Sequence, residues 1–378
     1  QGLIAECLAV LGACGLSPQA VARSVASAGH EPSAGSGTDA VLADGLLQAL
    51  LQLHACLTHP DELTSLLAAH TLRTMMLKPT KTLKSAWDSL KRTNALAHYE
   101  LDAFKQPNKA GCVSALDSDC VAAAAAKAAI NGAEDDAKKA ETDMRHVLSE
   151  SLWRLRQRTT DEWLCTLTQV LLSKVGLGVG SLSACRLLAA RRPALARVVL
   201  LPALLHLLDT DNDADAFSRG LGERLQQFFD EALRTDPPPT AEHLSAVEVL
   251  VAVVLQLRVQ TVRQKHGTVS RRRTEAPTVW MARLWPQLDL VRVAAAAHAA
   301  GQPLSALQLL ELSTEEGTQL QPHKVLQGGR PTALLLDVLA CLRAPDCARG
   351  VIAADAGGPT SALRLLQLRG EHAGCLGL

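Results

Sequence analysis

The sequence predicts an all-α protein, built as an irregular α-solenoid of paired helices, on two observations. Apolar residues make up 48% of the chain and are dominated by Leu and Ala, whereas aromatic residues make up 3%. Leu and Ala favour helices, while strands prefer β-branched and aromatic residues. Apolar residues also recur at helical spacing along the whole chain, with short breaks and no fixed repeat length. This pattern favours an irregular helical array over an ankyrin or consensus tetratricopeptide array.

Helix signals follow one another along the chain. Residues 39–58 place four leucines on one helix face, and the next helix is predicted to open at Pro60. Thr159 and Glu162 have capping-box spacing ahead of an apolar stretch at 160–175. Further helices are predicted at 193–209, 215–234, 240–264, 284–300, 303–312, 332–343 and 359–369.

The breaks between these helices are short, with one exception. Breaks are predicted at 30–38, 211–215, 236–240, 314–331 and 356–359. Residues 106–147 are rich in Ala and charged residues and poor in large apolar ones, which predicts a surface insertion that is partly helical or disordered. The chain is therefore divided into a helical solenoid at 1–105, the insertion at 106–147, and two further helical segments at 148–238 and 239–378.

Charge gives no global preference for nucleic acid or anionic lipid. Lys plus Arg and Asp plus Glu both number 38, so the formal net charge is zero. The main basic cluster is compatible with DNA phosphate binding or with a nuclear-import signal, but a solvated loop between helices is favoured. The cluster comprises Arg258, Arg263, Lys265, His266, Arg271, Arg272 and Arg273.

Cysteines and apolar runs indicate a reducing compartment and no membrane span. The ten cysteines are scattered and form no C-x-x-C motif, so they are expected to pack as small hydrophobic residues. The longest apolar runs, at 198–208 and 246–257, are shorter than the roughly 20 residues that a membrane span needs.

Three groups of residues have some features of metal sites, but in each the sequence favours a purely structural role. His54, Cys56 and His59 lie close together without a second ligand pair, so core packing is favoured over zinc, and the same holds for Cys341 and Cys347. The acidic residues from Asp209 to Asp215 begin like a calcium loop. Ala214 and Gly220, however, stand where that loop needs Gly and Glu, which favours a solvated turn.

No complete catalytic motif is present in the sequence. The run GLGVG at 176–180 lacks dinucleotide-binding spacing and is interpreted as a helix terminator. The kinase set of Gly-rich loop, strand Lys, catalytic Asp–Asn loop and metal-binding Asp is also missing. The sequence therefore predicts no catalytic, cofactor-binding or metal-ligating residue in this segment.

Several segments, in order, resemble one protein family. The stretches WDSLKRTNALAHYELDAFK (87–105), LSESLWRLRQRTTDEWLCTLTQVLLSKVG (148–176), ACRLLAARRPALARVVLLPALLHLLDTDND (184–213), GERLQQFF (222–229), AVEVLVAVVLQLRVQ (246–260) and WPQLDLVRVAAAAHAAGQPLSALQLLEL (285–312) carry the resemblance. From about residue 74 onward the sequence is similar to the ATM (ataxia-telangiectasia mutated) family of serine/threonine protein kinases. The likeness covers the late HEAT solenoid and, at 239–378, the start of the FAT domain.

The resemblance implies a regulatory segment of a larger kinase. The parent would be a nuclear enzyme of DNA double-strand-break signalling and repair, with ATP and Mg in a catalytic domain beyond Leu378. The expected partners are proteins, the parent's own kinase domain and a possible second copy of the full-length protein. No small-molecule substrate, membrane contact or direct nucleic-acid contact of this segment is expected. An alternative is a HEAT-repeat adaptor of another complex, with no link to a kinase.

The ends of the chain and its large apolar side chains each support a further prediction. The chain begins with Gln and ends in an apolar stretch, so it is interpreted as a fragment. The residues expected to matter most are packing residues: Trp87, Trp163, Trp285, Leu288 and Leu290. Trp285 is expected to open the helix at 284–300 and to anchor it against the helix at 303–312.

Overall fold

A computed structural model shows the fold of most of the chain. It describes residues 37–77, 79–105, 123–128, 130, 147–155, 157–175, 180–210, 214–234, 236, 238–270, 279–318, 330–344, 347–348 and 351. Every regular element within these ranges is a helix, which confirms the prediction of an all-α protein.

The described residues include fifteen α-helices, numbered α1 to α15 in chain order, and two short 3-10 helices, which follow α4 and α12. The α-helices are α1 (Gly37–Leu57), α2 (Glu62–Leu77), α3 (Lys81–Thr93), α4 (Ala95–Asp102), α5 (Glu150–Trp153), α6 (Thr160–Lys174), α7 (Gly180–Ser183), α8 (Arg186–Ala189), α9 (Pro193–Thr210), α10 (Ala214–Ala232), α11 (Ala241–Ser270), α12 (Val279–Leu284), α13 (Leu290–Ala299), α14 (Pro303–Thr318) and α15 (Arg330–Cys341). The 3-10 helices are Ala103–Lys105 and Trp285–Gln287.

The helices belong to two compact units. The larger unit comprises Ser36–Phe228 and Thr240–Leu288, and the smaller unit comprises Gln1–Gly35, Phe229–Pro239 and Asp289–Leu378.

Helix α9 is the central helix of the larger unit. It packs against α1, α6, α8 and α11, and apolar residues around its circumference are buried. A helix that is apolar on all sides is stable only when other apolar surfaces surround it, as they do here. The buried residues are Leu195, Ala196, Val199, Leu200, Pro202, Ala203, Leu204, Leu205, Leu207 and Leu208.

Packing in the larger unit joins helices that are distant in sequence. Helix α1 packs against its neighbours α2 and α3, but also against α9 and α11 much later in the chain. Helix α2 likewise packs against α7 and α8. In a solenoid each repeat contacts mainly the next one. The larger unit therefore has a more closed packing pattern than the solenoid prediction implies.

The smaller unit contains successive helices that pack in order. Helices α13 and α14 pack together across the turn at Gly301, which confirms the predicted pair, and α14 packs against α15. The turn is a Schellman motif: Gly301 N donates to His298 O and Gln302 N donates to Ala297 O. Gly301 has a φ of +76°, the left-handed conformation that glycine adopts without a steric cost.

The end of α15 repeats this motif with an unusual residue. Arg343 N donates to Ala340 O, and Ala344 N donates to Leu339 O, so Arg343 occupies the position that Gly301 occupies after α13. Its φ is +53°, in the left-handed region. A side chain in this conformation costs roughly 1 kcal/mol, and the positive charge near a helix C-terminus offsets part of that cost.

We expect the two turns to respond in opposite directions to substitution. Arg343→Gly should raise the free energy of unfolding of the smaller unit by about 0.5–1 kcal/mol, because the strain disappears. Gly301→Ala should lower it by about 1 kcal/mol for the converse reason. Denaturant unfolding followed by circular dichroism tests both variants. Destabilisation by Arg343→Gly would show that the arginine side chain contributes more than its backbone strain costs.

Several predicted boundaries are wrong. The helix predicted at 284–300 is split: α12 ends at Leu284, a 3-10 turn follows, and α13 begins at Leu290. The N-cap of α13 is Asp289, whose Oδ1 accepts hydrogen bonds from Val291 N at 3.0 Å and from Arg292 N at 3.3 Å. Helix α14 continues to Thr318, into the predicted break at 314–331.

The predicted insertion and the last predicted helix fall largely on residues that are not described. Within 106–147, residues 123–128 are helical, in agreement with the partly helical prediction. Ala123 and Ala126 are buried, however, so this part packs against the protein instead of lying wholly on its surface. The helix predicted at 359–369, the break at 356–359 and the glycines of 176–179 lie outside the described residues.

Candidate functional site

A connected group of side chains in the larger unit surrounds Trp163 on α6. Trp163 is fully buried, and its ring stacks on Phe228 of α10 with centroids 5.3 Å apart. Its indole N–H donates to the carbonyl of Leu152 at 3.1 Å. The Phe228 ring also contacts the His243 ring of α11 at 4.6 Å between centroids. One tryptophan therefore joins α5, α6 and α10, and Phe228 extends the contact to α11.

The start of α6 is tied to the start of α11 by a carboxylate. Glu242 Oε2 accepts from Thr160 N at 2.6 Å, and Thr160 Oγ1 also lies within hydrogen-bond distance of Glu242 Oε2 and Glu242 O. Glu242 lies in the first turn of its own helix, so its negative charge is close to the positive ends of two helices. Thr160, Trp163, Phe228, Glu242 and His243 are hereafter called the Trp163 junction.

The capping box predicted from the sequence is present at the same point. Thr159 Oγ1 accepts from Glu162 N, and a Glu162 carboxylate oxygen accepts from Thr159 N. Sequence reasoning found this local cap but missed Glu242, because the Thr160–Glu242 contact joins residues far apart in the chain. The only signal was an acidic residue in the first turn of a predicted helix, which is common.

Glu242 makes the Trp163 junction sensitive to acid. Hydrogen bonds from the Thr160 main chain and hydroxyl lower the pKa of Glu242. The stabilisation is therefore complete above the ordinary glutamate pKa and is lost as the pH falls through the lower folded-state value.

Glu242→Gln should destabilise the larger unit at neutral pH and flatten this acid dependence. Urea unfolding at several pH values tests it, with Glu248→Gln, at an exposed site on the same helix, as the control. Equal losses in the two variants would contradict the role of Glu242.

Trp285 does not have the role predicted for it. It is half-buried and lies in the 3-10 turn, not at a helix start. Its indole N–H donates to Thr261 Oγ1 at 3.1 Å, and the Arg258 guanidinium lies over its ring at 5.6 Å from the centroid. Trp285 therefore packs on α11. The anchor of this segment in the larger unit is Trp280, which is 1% exposed and donates to Asp209 Oδ1 at 2.9 Å.

The other predicted packing residues are buried. Trp87 and Leu288 are buried in the larger unit, and Leu290 is buried in the smaller unit. Trp87 contacts the His98 ring with centroids 5.1 Å apart. Together with Trp163, these residues confirm the packing prediction at four of its five positions.

His54, Cys56 and His59 have separate contacts in the structure. His54 pairs with Glu100, and His59 contacts Arg192, with Nη1 and Nε2 2.9 Å apart. Cys56 is buried, and this burial raises the pKa of its thiol, an effect that Arg192 partly opposes. Within the described ranges, no group of three or more His, Cys, Asp or Glu side chains is placed to hold a metal ion.

The other four cysteines among the described residues fall into a buried pair and an exposed pair. Cys165 and Cys185 are buried as predicted, and burial raises their thiol pKa values to about 11 and about 12. Cys341 and Cys347 are exposed, so the prediction that they pack in the core is wrong. Cys341 is the last residue of α15, where the helix ends in a surface turn.

The acidic segment at 209–215 and the basic cluster at 258–273 were both predicted to be loops, but part of each is helical. Asp209 lies in the last turn of α9, and α10 already begins at Ala214, while 211–213 lie outside the described residues. Helix α11 continues to Ser270, so Arg263, Lys265 and His266 lie on a helix and not in a loop. Residues 271–273 lie outside the described residues.

Within the described part of the chain, three helices are long and apolar enough to cross a membrane by length and composition alone, whereas the short apolar runs of the sequence predicted no such helix. Their apolar windows are Asp39–Leu57, Pro193–Thr210 and Ala241–Thr261, of 19, 18 and 21 residues. Between 44% and 56% of each window is buried inside the protein. These helices are α1, α9 and the first part of α11, and they pack against one another in the larger unit.

The chain matches no protein-family model and no curated protein sequence.

Proposed function

We propose that this chain is a non-catalytic helical scaffold, and one observation supports the proposal above all. Several side-chain hydrogen bonds of the larger unit join one helical element to another: Thr160 to Glu242, Trp163 to Leu152, Trp280 to Asp209 and Trp285 to Thr261. These polar groups are used to fix helix positions. Such fixed positions are what a protein needs in order to hold partners at a defined separation.

The finer proposal is that the scaffold is a regulatory segment of an ATM-like serine/threonine kinase that signals DNA double-strand breaks in the nucleus. The sequence resemblance over 87–105, 148–176 and 285–312 supports it. In this proposal 1–105 and 148–238 are HEAT-like solenoid, and 239–378 is the start of a FAT domain with tetratricopeptide-like helices. ATP and Mg would be used by a catalytic domain of the parent and not by this segment.

The packing of the smaller unit suits the proposed FAT start better than the packing of the larger unit suits a solenoid. Helices α13, α14 and α15 pack in chain order, as successive helices of a repeat array do. The contacts of α1 with α9 and α11 are not of this kind. The alternative, a HEAT-repeat adaptor of another complex, has the same helix packing and a different set of partners.

The coding sequence that follows Leu378 distinguishes the two proposals. Further FAT helices followed by a kinase domain would support the kinase proposal, and an unrelated domain or a stop would contradict it. The protein isolated from cells should then phosphorylate serine or threonine in a peptide in the presence of Mg and ATP. An adaptor would lack this activity but would retain bound proteins.

The isolated chain itself should bind neither ATP nor zinc stoichiometrically. Metal analysis of the purified chain and equilibrium dialysis against ATP test this expectation. One tightly held zinc ion per chain would contradict the interpretation of the Cys and His residues as structural. Stoichiometric ATP binding would contradict the non-catalytic scaffold in both of its forms.

A further inference from the structure

We draw no further inference here: the strongest candidate, the exposed apolar pair Leu96 and Tyr99 on the surface of helix α4, carries none because nothing in the described part of the chain shows what covers it.

Discussion

Replacing Trp163 with Ala should lower the free energy of unfolding of the larger unit by about 3–5 kcal/mol, the usual cost of removing a fully buried aromatic side chain. The loss has three physical sources: the cavity, the stacking on Phe228 and the unpaired carbonyl of Leu152. Many domains are stable by only about 5–15 kcal/mol, so this change alone brings the unit close to unfolding. Denaturant unfolding followed by far-ultraviolet circular dichroism measures it without depending on tryptophan fluorescence.

Three other variants make this prediction specific to the Trp163 junction. Tyr99→Ala, at a side chain that is 79% exposed, should change stability by no more than about 0.5 kcal/mol. Trp285→Ala should fall between the two, because Trp285 is only half-buried. Trp163→Phe retains an aromatic ring but removes the indole donor, and it should cost about 1–3 kcal/mol. Equal losses for Trp163→Ala and Tyr99→Ala would show that Trp163 is not the centre of this core.

Local signals explain why some elements were predictable from the sequence. The α6 capping box needs only Thr159 and Glu162, three residues apart, and its position is correct. The turn at Gly301 is equally local, because a glycine between two apolar helical stretches marks a helix end. All-α content also follows from composition, which is a property of the whole chain.

Misassigned elements arise from competing local signals or from distant contacts. Pro286 favours a first helical turn, and that signal obscured Asp289, whose carboxylate is the actual cap of α13. Leu288, with φ −104° and ψ 116°, has an extended backbone and separates the 3-10 turn that contains Pro286 from the cap at Asp289. The burial of Trp280 and the half-exposure of Trp285 depend on α9 and α11, and no local pattern encodes which side chain meets which helix.

In the Trp163 junction, likewise, some residues could be predicted from the sequence and others could not. Trp163 was predictable as a packing residue, because it lies at helical spacing from Leu167 and Leu171 on the apolar side of its helix. Its partners Phe228, Glu242 and His243 were not, because they come from two later helices. The closed packing of α1 against α9 could not be predicted for the same reason, since a solenoid and a closed helical unit have the same local periodicity.

Gly45 lies where α1 crosses α9, and its substitution is the second change expected to lower the stability of the larger unit strongly. At Gly45 an added Cβ would contact the Cγ of the buried Pro202 ring too closely and would lie 3.3 Å from its Cβ. Replacing glycine by alanine inside a helix normally stabilises it by about 0.5–1 kcal/mol. At this crossing the added methyl group meets a rigid ring in a closely packed core. We therefore expect Gly45→Ala to destabilise the larger unit by about 1–3 kcal/mol.

A double-mutant cycle with Pro202→Ala separates the crossing from helix propensity. Pro202→Ala removes Cγ and Cδ, including the ring atom that the new methyl group would meet most closely, and leaves only the Cβ contact at 3.3 Å. Most of the cost of Gly45→Ala should therefore disappear in that background, and the intrinsic preference for alanine should become visible. The four free energies of unfolding are measured by urea titration of the full chain. Because the two side chains are in contact, a coupling energy of at least about 1 kcal/mol is expected. Stabilisation by Gly45→Ala in the otherwise unchanged chain would mean that α1 and α9 do not cross closely at Gly45 and Pro202, and the central position of α9 in the larger unit would lose one of its supporting helix contacts.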